Sequence, residues 1–348
     1  LLAGPSEYLA LGVQSAIPDG TKLTIGAVTI QQGVAEVDFD SVALSADAIN
    51  RRLMLAQLRA TLLQLSGVSD VSLSVNSSRQ DIVPAEISPA RSGSEVIALS
   101  DAVYRIGPAD SLAISGTSGL VQLSRPSLLA GAQAGNLLAF SGPNGVELMV
   151  GSGIGVQSEL ISDVTSVASL EFDSESMLWV IPKRSGSAVQ VFDGSTQVAN
   201  LVLPVIGTRI SAQLSPEGSR LAVLVRNQDG VRLEVFTIAR DVRKLPAFIN
   251  PGTIVQSTLT NPVSLTWQTP VSLRILETGP VGTSNLSDYP LFGPKVQLPT
   301  PLVVGAKVVA GQAAGSSYLL GKNGELWNLV GGSWRKIDSD VSDIAKLR

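Results

Sequence analysis

Asp38, Asp40 and Asp47 come nearest to a metal- or sugar-binding set, because residues two apart on a strand share one face. A calcium loop needs more oxygen ligands at short spacing and a glycine at the turn, and neither is supplied, so a solvated strand end is the plainer reading. Ser215, in Ser215–Pro216–Glu217–Gly218, is a nucleophile only if a base stands beside it. The chain has no histidine and no cysteine, which removes Ser-His-Asp and Cys-His activation and the ordinary structural zinc sites. What remains at Ser215 is turn chemistry, with Pro216 fixing φ and Gly218 supplying an unusual φ at the end. Gly151–Ser152–Gly153–Ile154–Gly155 has the glycines of a phosphate loop but no helix to open, so it is an inter-strand turn. Carboxylate chemistry, Lys or Tyr bases and oxygen-ligand metal sites survive this composition. A carboxylate-dependent glycan hydrolase would need two acids about 5–10 Å apart across a cleft, and it ranks last. The expectation is a protein that is not an enzyme and carries no cofactor and no metal.

Residues suited to holding another protein are easier to find. Trp334 stands beside Arg335 and Lys336, and Trp and Arg are enriched at binding hot spots. Packing at a sheet edge is the weightier reading for Trp334, and Trp179, Trp267 and Trp327 lie inside apolar runs that mark them as core. Arg51 and Arg52 fall in the N-terminal half of a helix, where they mildly oppose its dipole and point to an acidic contact outside. Trp334, Arg335, Arg51 and Arg52 are therefore the candidate partner contacts.

The 348 residues suffice for about two domains. With 44% hydrophobic and 16% charged residues the chain is globular. A net charge of −4 with both signs scattered leaves no basic stripe, so nucleic acid is not an expected partner. No apolar run approaches the ~20 residues that span a bilayer. Leu1–Leu2 opens without a charged n-region, so any targeting segment is expected upstream or removed.

The first 76 residues form a pattern of their own. Gly4–Pro5–Ser6 leads into a helical stretch with Leu9, Val13 and Ile17, stopped at Pro18–Asp19–Gly20. Residues 21–31 alternate as a strand, and Gln32–Gly33 turns it back into 34–39. A second helix begins at a Ser45 N-cap, runs along the stripe Leu55, Leu58, Leu62 and Leu65, and ends at Gly67. Val71, Leu73 and Val75 then mark a strand. This is a small α+β layer of one sheet under two helices, with a further strand expected before Leu1. Residues 77–92, with Pro84 and Pro89, are expected to link it to the rest, although Ile82, Val83 and Ile87 could dock on a neighbour.

From residue 93 the expectation is all strand. Short strands at 95–99, 103–106 and 110–115 precede five copies of one phrase, at about 127–160, 164–203, 210–249, 255–298 and 302–337. The clearest copy is SAQLSPEGSRLAVLVRNQDGVRLEVFTI, from Ser211. A spacing of roughly 40–50 residues is that of a four-stranded propeller blade. Residues 342–347 (SDIAKL) form a lone strand, and the incomplete first blade at 95–115 lacks one, so the last strand closes the ring. That makes six blades, or five if the irregular stretch 281–299 is not part of one.

The stretches GPSEYLALGVQSAIPDGTKL, GVAEVDF and LAQLRATLLQLSGVSDVSLSV resemble the GerMN domain, and LSPEGSRLAVLV is similar to TolB-like propeller repeats. The two in this order resemble the actinobacterial LpqB lipoprotein family across nearly the whole chain. That resemblance implies a lipid (palmitate) anchor on an upstream cysteine and a place on the outer face of the cell membrane. It also implies a partner, the extracytoplasmic domain of an MtrB-like sensor histidine kinase, in a two-component system governing cell-wall and division functions. A second reading takes cell-wall glycan or peptide (peptidoglycan) as the ligand, bound by the α+β module.

Overall fold

The computed structural model describes residues 1–348 other than 7–8, 88–94, 108–109, 280–281, 292 and 314. The chain divides into two compact units, Leu1–Pro89 and Ala90–Arg348. In the first, β1 (Thr29–Gln31) and β2 (Val34–Phe39) form a hairpin. Gln32 and Gly33 both take positive φ, 50° and 81°, as a two-residue hairpin turn that follows strand twist requires. Helix α1 (Ala48–Leu62) carries the chain across to β3 (Asp70–Val75), which pairs parallel with β2 from Val34↔Asp70 to Phe39↔Val75. β4 (Ser78–Arg79) completes the order β1-β2-β3-β4. The period-2 sets Ala35, Val37, Phe39 and Val71, Leu73, Val75 turn to one side, where Met54, Leu55 and Leu58 of α1 cover them.

Several expectations for this unit change. Residues 9–13 make turns with one i→i−4 bond, Val13 N–H to Leu9 O at 3.0 Å, and no α-helix forms among the described residues before α1. Gly12 and the early Pro18 leave too few turns to propagate one. The expected first strand is broken: Leu23 bridges Phe39, residues 24–27 turn away with Ile25 67% exposed, and Thr29–Gln31 pairs with β2. The cap of α1 is Asp47, whose carboxylate accepts the Asn50 N–H at 2.7 Å, while Ser45 ends a preceding 3-10 turn. Leu65 lies beyond the helix and is 51% exposed. Much of the expected linker belongs to the unit: Ser78–Arg79 pairs with β3, and Ala85 N–H bonds to Arg52 O at 3.1 Å.

In the second unit the described strands form an eight-stranded sheet, which reads as two sets of four joined by one parallel bridge, three sets of four strands, and one of five in which Pro246–Ile249 and Thr253–Leu259 both pair with Gly230–Arg240. Their innermost strands are Asp343–Leu347, Leu128–Ala132, Val167–Phe172, Thr208–Leu214, Pro262–Thr269 and Gly305–Ala310. These neighbour one another in that order, and the last returns to the first. Asp343–Leu347 pairs antiparallel with Glu95–Leu99, Asp343 opposite Leu99, so the C-terminal strand supplies what the first set lacks. It also touches the next set through a parallel bridge, Leu347↔Gly131. Gly131 makes room there: a Cβ would lie 2.7 Å from Ile97 Cδ1 and 2.9 Å from Leu347 Cδ1, so those side-chain ends would have to shift. Apolar clusters fill the spaces between successive sets, such as Trp179, Val191, Leu214, Val223 and Phe236.

Three details depart from the sequence reading. Thr117–Ser124 is a short helix, α2, in a region expected to be all strand; Leu120 and Val121 hold it on the Ile97–Leu129–Phe140 cluster. Thr253–Leu259 pairs with Gly230–Arg240 in the set before the one expected. The irregular stretch near 281–299 yields two regular strands, Ser284–Pro290 and Val296–Leu298.

Candidate partner cleft and axial pocket

Between the outer strands of the first and last sets lies a cleft of about 830 Å³. Strand Ser333–Asp338 brings Trp334, Arg335 and Ile337 to one wall, and Ser111–Ala113 brings Leu112 to the other. Among the described residues both are outermost strands of their sheets. Trp334 is held firmly: its indole N–H donates to Pro299 O at 2.8 Å, and its ring packs on the Leu276–Leu286–Leu319 cluster. Leu112, Val330 and Ile337 stay 69%, 63% and 38% exposed. Arg105, Arg335, Glu95 and Asp110 also line the cleft, so it joins apolar floor to charge of both signs. Of the residues singled out in the sequence, Trp334 and Arg335, consecutive on one strand, both line this cleft. Arg51 and Arg52 belong to the other unit, where Arg52 Nε donates to Val83 O at 3.2 Å and Arg51 is half-buried.

The remaining motifs are structural. Asp38 accepts the Ser77 N–H at 2.9 Å, and Asp47 caps α1. Ser215 closes its turn, its Oγ accepting the Arg220 N–H at 3.0 Å, with Gly218 at φ 74°. Gly151, Gly153 and Gly155, all at positive φ, join strands Gly145–Val150 and Ser158–Ser162. Trp179 and Trp267 are fully buried. Among the described residues, no three Asp or Glu side chains gather as metal ligands.

A second concavity, about 310 Å³, lies along the axis that the innermost strands surround. The free edges of those strands face it, and unpaired edge groups are costly when buried. Side chains from neighbouring inner strands meet that need. Ser169 Oγ accepts the Ala212 N–H at 2.8 Å, Gln213 Oε1 the Trp267 N–H at 2.6 Å, and Ser264 Oγ the Val308 N–H at 3.1 Å. Thr266 Oγ1 accepts the Ala310 N–H at 3.1 Å, and Asp343 the Leu129 N–H at 2.8 Å.

Charges occupy the same space. Lys307 Nζ reaches both oxygens of Asp343, at 2.8 and 3.1 Å. Lys346 Nζ donates to Trp267 O at 3.2 Å, two strands round the ring from its own. Arg348 donates to Leu214 O at 2.7 Å and Ser215 O at 3.2 Å, with Glu171 3.6 Å from it. Burial pushes the Asp343 and Glu171 carboxyls above their ordinary range, against the pull of Lys307 on the first and of Arg348 on the second. Burial pushes the Lys346 ammonium down, to about 7. Two acids thus line one pocket, but each is engaged by a cation, and Asp343 also by a backbone N–H, an arrangement that works against acid–base turnover. Sequence reasoning missed these residues; the available signal was Asp and Lys inside the otherwise apolar closing strand, DIAKL, which is buried throughout.

Comparison with known proteins adds to this geometry. Residues 1–81 match the family described as "Sporulation and spore germination" (Germane), and residues 101–344 match "Lipoprotein LpqB beta-propeller domain". No curated protein matches the chain. Among solved structures, the nidogen/laminin complex is similar over 73% of this chain and 98% of that one, at 12% identity and a TM-score of 0.52. TolB from Acinetobacter baumannii is similar over 72% and 66%, at 8% identity and a TM-score of 0.50. At such identities the likeness shows the fold: a propeller.

Proposed function

The chain belongs to the LpqB β-propeller lipoprotein family, and from that premise we propose that it is a non-catalytic binding protein that modulates an MtrB-like sensor histidine kinase through its extracytoplasmic domain. A lipoprotein family is one of extracytoplasmic, membrane-anchored proteins, which puts this propeller on the side of the membrane where a sensor domain lies. No helix among the described residues is long and apolar enough to cross a membrane; a lipid anchor is the attachment that a lipoprotein family supports. The observation that carries the reading is the cleft at Trp334. A rigidly seated tryptophan, neighbouring exposed aliphatics and an arginine beside it form the composition of an interaction hot spot.

Cell-envelope and division control would follow from the kinase that is bound. No observation in the first unit favours the glycan-binding alternative: Phe39, its one described aromatic residue, is buried. The test is titration calorimetry of the purified kinase sensor domain into this protein. Saturable binding that Trp334→Ala weakens by about 10-fold or more is expected. No association at ~100 μM, with both proteins folded, removes this partner.

A further inference from the structure

Asp343, Lys346 and Arg348 bond backbone groups along the axis, but the side chains of Lys183, Lys307 and Glu171 are charges that cap no strand edge. The strand edges are already capped by Ser169, Gln213, Ser264, Thr266 and Asp343. Buried ion pairs are commonly replaceable by apolar residues without loss of stability, so a retained cluster calls for another explanation. The pocket is also asymmetric. At one end Ser127, Thr165, Lys183 and Ser342 are exposed; at the other, Gln213 and Lys346 are buried and Glu171 partly so, and Arg348 binds the Leu214 carbonyl. It is therefore a pocket with a polar mouth and a charged floor. Three lysines (Lys183, Lys307 and Lys346) and two carboxylates (Glu171 and Asp343) line it, leaving a net positive balance. Lys183 at the mouth has no ion-pair partner among the described residues. The volume, about 310 Å³, is at the lower end of the range for small-molecule sites.

We propose that the axial pocket binds a small organic anion, a carboxylate or a phosphate ester, received by Lys183 at the mouth and held deeper by Lys307. The cation excess selects charge, and the serine and threonine hydroxyls at the rim suit a ligand with hydroxyl groups. This site is separate from the Trp334 cleft, and its occupancy is measured without any protein partner, so either reading can fail alone.

The experiment titrates citrate, glucose 6-phosphate and neutral glucose into the protein at constant ionic strength, read by calorimetry and by the shift in unfolding temperature. One-site binding of at least one anion, with none for glucose, is expected; which anion binds distinguishes a carboxylate from a phosphate ligand. Lys183→Gln, at an exposed position that leaves the fold intact, should weaken binding by about 10-fold. Lys307→Gln should abolish it, and Ala306→Phe, which narrows the pocket without removing a charge, should do the same. Absence of binding to either anion up to ~10 mM overturns the proposal. So does anion binding that Lys183→Gln and Ala306→Phe leave unchanged, or glucose binding as tight as that of glucose 6-phosphate.

Discussion

Lys346 is 7% exposed, and burial, followed by the nearby Arg348, pushes its ammonium down from 10.5 to about 7. Its folded pKa is depressed, so between about 7 and 10.5 the unfolded chain holds a proton that the folded one has released. Stability is therefore expected to rise with pH from 7 upward through that window. Urea denaturation at pH 7 and pH 9 checks this, and Lys346→Met should flatten the rise; a wild type equally stable at both values contradicts it. A second residue works as a hub. Asp173, fully buried, accepts the Trp179 indole N–H at 3.0 Å, Arg240 Nη2 at 2.7 Å, and the N–H groups of Glu175 and Met177 at 2.9 Å each. Asp173→Ala leaves a largely buried cation and an indole donor without partners, at an expected cost of about 3 kcal/mol. A loss below ~1 kcal/mol in denaturant unfolding would mean that water replaces the carboxylate. Neither residue was legible beforehand, because each acts through partners distant in sequence: Lys346 with Trp267, Asp173 with Arg240.

At the scale of elements, what could be foreseen followed from periodicity. Val71, Leu73 and Val75 alternate and are buried in β3, and Leu55 and Leu58 mark the buried face of α1. The closing strand was legible because 342–347 had no hairpin partner in sequence while 95–115 lacked a strand. Helix α2 was not: TSGLVQLS is short, contains Gly119 and has no side-chain cap, and contacts with the Ile97–Phe140 cluster hold it in place. The N-terminal apolar residues misled in the opposite sense, since Leu11 and Val13 are 54% and 39% exposed. The closing strand carries a prediction. Truncation after Ser342 exposes the edge of Glu95–Leu99 and removes Asp343 from Lys307. The truncated protein is expected to melt at a lower temperature and to associate through the open edge. Size-exclusion chromatography showing a monomer with an unchanged melt would contradict that role. Gly145→Ala should also destabilise: φ is 130°, and a Cβ would stand 2.1 Å from Ser162 O.

For the whole molecule, each apolar cluster lies within one of the two units: one in Leu1–Pro89, the others in Ala90–Arg348. The propeller expressed from residue 90 onward is expected to fold alone with nearly its full-length melting temperature, and calorimetry on both forms checks this. Domain order and architecture were legible because a repeat has to stack with its copies. The axial pocket was not, because its lining comes in short runs, such as 167–171, 210–213, 263–265 and 306–309, from strands far apart along the chain. Trp334 and Arg335 could be picked out by residue type, but their cleft needs Leu112 and Arg105, more than 200 residues away, to complete it. Hydrogen exchange of this protein with and without the kinase sensor domain tests the central claim most directly. Slowed exchange over Ser333–Asp338 and Ser111–Ala113, absent in the Trp334→Ala variant, is the expected result. Complex formation with protection confined to other strands, or to the first unit, would contradict it.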